Sequence, residues 1–166
     1  PLVRGNFRSR TIESIVAETK NLVKNGVKEI NLIAQDTTNY GIDLYGEIKI
    51  LELLKELVKI EELKWIRLLY CYPKRFTDEL LNFMATEPKI CKYIDLPLQH
   101  AHNDVLKAMA RQDTKEEIED LLLRIRKIMP TATIRTSFIV GFPGESIEHY
   151  ETLKEFIIKQ RFDKVG

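Results

Sequence analysis

Gln35-Asp36-Thr37-Thr38 gathers an amide, a carboxylate and two hydroxyls within four consecutive residues. Such a set can receive an amino group or a ribose through charge-assisted hydrogen bonds; the same residue types also suit an Asx or Ser/Thr turn that opens a loop. Gly141-Phe142-Pro143-Gly144-Glu145 has two positions without a β-carbon just before a helix start. The backbone there can approach a ligand closely beside a helix dipole, or simply make a tight strand-to-helix turn. It lacks the Gly-Lys-Ser/Thr of a phosphate-cradling loop. Gln99-His100-Ala101-His102 places an amide beside two imidazoles, and His-x-His after a strand is a metal-ligand spacing. The remaining histidine, His149, falls in a helical pattern, so no metal is assigned, and Gln99 and His100 are read as hydrogen-bonding groups. Arg4, Arg8 and Arg10 form a small basic cluster, adequate for a phosphate or carboxylate or for a solvated loop. Cys71 and Cys91 are too few and too far apart for a disulfide framework or a closed metal site. They read as packed free thiols, with Cys71 standing at a strand exit.

The elements that must position these groups alternate regularly. Short apolar strands are predicted at 29–34, 65–69, 93–96 and 133–140, and 162–166 reads as a fifth strand beginning. Helices come between them. Ile12, Ile15, Val16, Leu22 and Val23 make one stripe, which Gly26 ends. Ile50, Leu53, Leu54 and Leu57 make a second, and Thr77 caps a third carrying Leu80, Leu81 and Met84. Val105, Leu106 and Met109 mark a short helix; Thr114 and Glu117 read as the capping box of a longer one that Pro130 stops; Ser146 caps the last. Strands spaced by helices mean right-handed βαβ units and a parallel sheet, an α/β fold in which every strand exit lies on one rim. All the chemistry-bearing clusters except the arginines follow a strand, so a site across that rim is expected. An eight-stranded barrel needs about 200 residues or more. With 166 residues the expectation is therefore an open, partial (β/α) barrel, truncated at both ends. Composition is ordinary, at 44% hydrophobic and 31% charged, and the net charge of +1 leaves this piece without a basic stripe for nucleic acid. With neither a membrane-span pattern nor a signal-peptide pattern, a soluble, cytoplasmic protein without a membrane partner is expected.

Taken together and in this order, the segments resemble the methylthiotransferase branch of the radical S-adenosylmethionine (SAM) enzymes. They are Pro1-Leu2-Val3-Arg4-Gly5 with Arg8-Ser9-Arg10, the run 32–46, 93–100, Met109-Ala110-Arg111, and 135–145. The resemblance covers essentially the whole chain. It implies a partial barrel of the radical SAM type, with residues 1–166 as a piece of the core domain. The first strand with its cluster motif, the amino-terminal methylthiotransferase domain and the carboxyl-terminal TRAM domain are expected outside it. It also implies SAM and 4Fe-4S clusters as cofactors. One cluster, on a C-x-x-x-C-x-x-C motif, cleaves SAM reductively to a radical that abstracts hydrogen from an unactivated carbon, and a second takes part in sulfur insertion. The cysteine triplet belongs before Pro1 in this family, so this chain alone is expected to hold no cluster and to be inactive.

By position, Gln35 and Asp36, with Thr37 beside them, match the family's methionine-binding segment. Gln99 and His100 match the ribose-contacting exit, and Ile139, Val140 and Gly141 the adenine-contacting backbone. No catalytic residue is assigned within the chain. Gln35-Asp36-Thr37-Thr38 and Gln99-His100 resemble the subgroup that methylthiolates an aspartate of ribosomal protein uS12. The tRNA-modifying subgroup typically has Gly-Gln-Asn and Gln-Ser at those places. The resemblance thus implies uS12, or the small ribosomal subunit, as partner, and leaves the sulfur donor open. Two alternatives stand beside it: a tRNA adenosine methylthiotransferase, and a non-catalytic α/β fragment whose exits bind a ligand.

Overall fold

Every strand pairing in the computed structural model, which describes residues 5–166, is parallel. β1 (Glu29–Leu32) pairs with β2 (Trp65–Leu68), and β3 (Tyr93–Gln99) with β4 (Thr133–Phe138), which pairs in turn with β5 (Lys164–Val165). The two sheets meet where Ile66 bridges Ile90 and where Cys91 N donates to Ile66 O at 2.9 Å. The strands therefore stand in sequence order, an open arc with helices on its outer side. The arc forms no closed barrel among the described residues.

The helices are α1 (Ile12–Lys24), α2 (Ile42–Tyr45), α3 (Ile50–Leu57), α4 (Asp78–Thr86), α5 (Asn103–Ala108), α6 (Lys115–Ile128) and α7 (Ile147–Gln160). Their starts follow local chemistry. The hydroxyls of Thr11, Thr77, Thr114 and Ser146 each accept a backbone N–H from the first turn of a helix, satisfying donors that have no partner within the helix. Gly26, at φ +94°, ends α1 in a conformation that costs other residues energy.

The sheet is two-faced. Ile66, Leu68, Ile94, Leu96 and Ile134 are buried under Leu53, Leu54, Leu81, Leu122 and Ile125 of the helical layer. The residues between them on the strands (Glu29, Asn31, Trp65, Arg67, Tyr93, Asp95 and Arg135) look into the concave side. Trp65 is 53% exposed there. Parallel sheets are usually covered on both faces; this one is covered on one, and polar chemistry lines the other. Arg67 Nε donates to Glu29 at 2.9 Å and its guanidinium stacks 4.8 Å above the Tyr93 ring.

Pro97 introduces the one irregularity of register among the described strands. Leu96 pairs with Thr136 but Gln99 with Phe138, a bulge across 97–98 that re-aims the end of β3. Gln99 emerges at φ +72°, and Tyr70, at the β2 exit, at φ +56°. Non-glycine residues at positive φ are uncommon and concentrate at functional sites.

Candidate functional site

The four exits are stitched to one another by backbone and side-chain bonds. Thr37 N donates to Tyr70 O at 3.0 Å, and the Thr37 hydroxyl donates to Leu69 O at 2.5 Å while accepting from Ala34 N at 3.0 Å. Tyr72 N donates to the Thr38 hydroxyl at 3.1 Å, joining the first exit to the second. Cys71 N donates to Asp95 O, and Tyr70 N donates to the Asp95 carboxylate at 2.9 Å, joining the second to β3. Ile139 N donates to Gln99 O at 2.8 Å, joining the third exit to the fourth.

These bonds separate the residues singled out in the sequence. Thr37 and Thr38 are buried and engaged in the rim. The Asp36 carboxylate accepts from the Thr38 hydroxyl at 2.5 Å and from Arg75 Nε at 3.2 Å, so it shapes the loop. Gln35 and Gln99 come together on one cavity of about 340 Å³, lined also by Tyr70, Tyr72, Arg111 and Arg135. The sequence assigned the last four no role, though Tyr70 and Tyr72 flank Cys71 at its strand exit, Arg111 stands in the quoted Met109-Ala110-Arg111 segment and Arg135 opens the quoted segment 135–145. Arg111 stacks 4.6 Å above the Tyr72 ring and donates to Pro97 O at 3.2 Å. Its Nε is buried without a protein partner. Asp113 lies 3.5 Å away; burial pushes its carboxyl up, and neither oxygen has a hydrogen-bond partner.

The fourth exit is organised by one carboxylate. Glu145 accepts from the backbone N–H groups of Gly141 and Phe142 and faces His100 Nε2 at 3.3 Å. His100 Nδ1 accepts from His102 N at 2.9 Å, so its proton resides on Nε2 and points to Glu145. His100 is fully buried behind the rim, and burial lowers its affinity for a second proton. Burial pushes the Glu145 carboxyl up, but the bonds from His100, Phe142 and Gly141 outweigh it and hold the group below its ordinary value. Beside Gly141, at φ +74°, Ile139 and Val140 are 45% and 60% exposed. An added β-carbon at Gly141 would meet no atom within 4 Å. The three residues form an open apolar edge on the rim.

The fold brings His102 to His149, with ring centroids 4.1 Å apart and Asp104 nearby. Each Nδ1 accepts a backbone N–H at a helix start, His102 from Asp104 and His149 from Ser146, both at 3.2 Å. Those lone pairs serve the helix ends, and ligation of a metal would have to break both caps. The two thiols are remote from each other along parallel strands, Cys71 at the exit of β2 and Cys91 before the start of β3. Cys71 is buried, and burial together with Asp95 and Asp36 pushes its thiol far up, which keeps it protonated. Of the basic cluster, Arg4 lies outside the described residues. Arg10 pairs with Glu18, and its carbonyl accepts the Tyr40 hydroxyl at 2.7 Å.

A family model described as the Radical SAM superfamily matches residues 2–157. The ribosomal protein uS12 methylthiotransferase RimO of Desulforamulus reducens is 58% identical over all 166 residues, and that of Elusimicrobium minutum 53%. The chain spans 37% and 39% of the length of those two relatives. Among solved structures, coproporphyrinogen III oxidase HemN from Escherichia coli, described as a radical SAM enzyme, superposes with a TM-score of 0.63 at 14% identity. The match covers 93% of this chain and 37% of HemN, a likeness of fold.

Proposed function

The chain belongs to the radical SAM superfamily, and from that premise we propose that residues 1–166 are a piece of the core domain of a methylthiotransferase acting on an aspartate of ribosomal protein uS12. The observation that carries the reading is the 52–58% identity, over an alignment that covers all 166 residues, to proteins named uS12 methylthiotransferases. A ribosomal substrate implies a cytoplasmic enzyme. No helix among the described residues is long and apolar enough to cross a membrane.

Family membership implies SAM and a 4Fe-4S cluster as cofactors. The residues present fit SAM. The cavity offers the amides of Gln35 and Gln99 and the guanidinium of Arg111, suited to the amino, hydroxyl and carboxylate groups of such a ligand. The open edge of Ile139, Val140 and Gly141 suits a flat base. SAM supplies hydrogen-abstracting chemistry when it is bound and reductively cleaved. The chain's own part is to hold the ligand against the rim and to keep Gly141 and Phe142 in place through Glu145. Cys71 and Cys91 do not fit a 4Fe-4S cluster, being two thiols at opposite ends of the strands, one of them buried and protonated. The cluster's thiolates are assigned to the rest of the enzyme.

The test gives the intact, cluster-loaded enzyme SAM, a reductant and a sulfur source, with uS12 and unmodified tRNA supplied in parallel. Mass spectrometry is expected to find a methylthio group on uS12. Modification of tRNA alone would overturn the reading in favour of a tRNA adenosine methylthiotransferase.

A further inference from the structure

Two guanidinium groups line the same cavity, and they are held differently. Arg111 lies along the rim, stacked on Tyr72. Arg135 projects from the concave face of β4, level with Asp95 on β3. It starts four residues before Ile139, about 13 Å lower along the strand at the usual rise per residue, and so rises into the cavity from inside the arc.

Arg135 has one hydrogen-bond partner among the described residues: its Nη1 donates to the Asp95 carboxylate at 2.7 Å. The Asp95 side chain is 1% exposed, and its other oxygen accepts the Tyr70 N–H at 2.9 Å. The carboxylate thus sits behind the guanidinium, fixed by a backbone donor as well as by the arginine. The Arg135 side chain is 39% exposed. A guanidinium has five N–H donors in a planar fork, and one of these is used. The remaining fork matches a carboxylate in two-point contact, which a flexible ammonium could not reproduce as well.

We propose that Arg135, oriented by Asp95, is a carboxylate-binding subsite that receives the acidic side chain of the protein substrate. The inference rests on the function proposed above and names the group that would select an aspartate. SAM carries a carboxylate too, and it is the competing source of the same chemistry. The position of Arg135 inside the arc, below the exits that suit SAM, favours the substrate side chain. The other reading of the pair is purely structural, with Arg135 serving only as the counter-ion of a buried aspartate. Removing the arginine alone would leave that charge unpaired and could unfold the protein. The informative variant is therefore the neutral pair Asp95→Asn with Arg135→Gln, in which the introduced amide oxygen can still accept from Tyr70 N.

The experiment uses the intact, cluster-loaded enzyme and two synthetic peptides of the uS12 target loop, identical except for aspartate or asparagine at the modified position. Peptide affinity is read by fluorescence anisotropy and SAM affinity by equilibrium dialysis. The native enzyme is expected to prefer the aspartate peptide by about tenfold or more, the worth of a charge-assisted hydrogen bond. In the double variant the preference is expected to fall to about threefold or less while SAM affinity stays within about twofold, smaller than one such bond. Arg135→Lys is expected to keep part of the preference. Two results would overturn the subsite and leave the function standing: an undiminished preference in the double variant, or lost SAM affinity with the preference intact. A native enzyme that modifies tRNA and binds neither peptide would overturn both.

Discussion

Glu145 concentrates more of the rim on one side chain than any other residue of the quoted exits. Its carboxylate receives Gly141 N–H, Phe142 N–H and His100 Nε2–H. Replacing it with alanine leaves the buried His100 Nε2–H without its partner, at about 1–3 kcal/mol for a buried group, while the more exposed Gly141 and Phe142 N–H groups turn to water. Glu145→Ala is therefore expected to lower the unfolding midpoint and to weaken SAM binding together, measured by urea titration and equilibrium dialysis. His100 adds a pH dependence. Burial depresses its folded-state pKa below the ordinary 6.5. The unfolded chain then takes up a proton before the folded one does, so the stability that neutral His100 contributes is present above that pH and is lost as the pH falls through the folded value. Urea midpoints for the native protein and for His100→Gln, compared at pH 7.5 and 5.5, are expected to show a smaller acid loss in the variant. Both residues could be read from the sequence as members of polar exits, but their pairing could not. They are 45 positions apart, and only the fold makes them neighbours.

Among the elements, the helices were legible because their signals are local. The capping box of α6 forms as expected: Thr114 Oγ1 accepts from Glu117 N at 3.3 Å, and Glu117 accepts from Thr114 N at 2.9 Å. Since α6 buries Ile118, Leu121, Leu122 and Ile125 against the sheet, fraying at its start should reach the core. Thr114→Ala is expected to cost about 1 kcal/mol, with Glu117 left in place, as a drop in the thermal midpoint. The strand ends were less legible, because their partners are distant. β1 stops at Leu32, short of the expected 34, where Ala34 N turns to the Thr37 hydroxyl. β3 runs on to Gln99, past the expected end at 96, because β4 keeps it paired beyond Pro97. The short α2 was missed altogether. It lies against the segment before α1, where Ser9 N donates to Asp43 at 2.7 Å and Ile12 N to the Tyr45 hydroxyl at 3.1 Å. No pattern within 42–45 reports such contacts.

At the scale of the whole molecule, the βα alternation was enough to anticipate a parallel, open arc with its exits on one rim, and the HemN likeness agrees with that fold. What the alternation did not reveal is which exit residues face the cavity. Gln35 and Asp36 are neighbours of similar size, yet Gln35 lines the cavity while Asp36 is tied to Thr38 and Arg75. The same holds for the concave face, whose arginines come together only when the arc forms. The difference between the two neighbours can be measured in the intact enzyme. Gln35→Ala and Gln99→Ala should each remove a hydrogen bond to a charged or polar group of SAM, worth about tenfold or more in affinity, while leaving the unfolding midpoint close to the native value. Asp36→Ala should do the reverse at first order. It frees the Thr38 hydroxyl and Arg75 and lowers the midpoint, and it weakens SAM only as far as the loop loosens around Gln35. Calorimetric titration of SAM beside thermal unfolding separates the two effects. If SAM affinity is unchanged in both glutamine variants, the ligand does not use this cavity, and the open edge at Ile139 to Gly141 would have to hold it from another side.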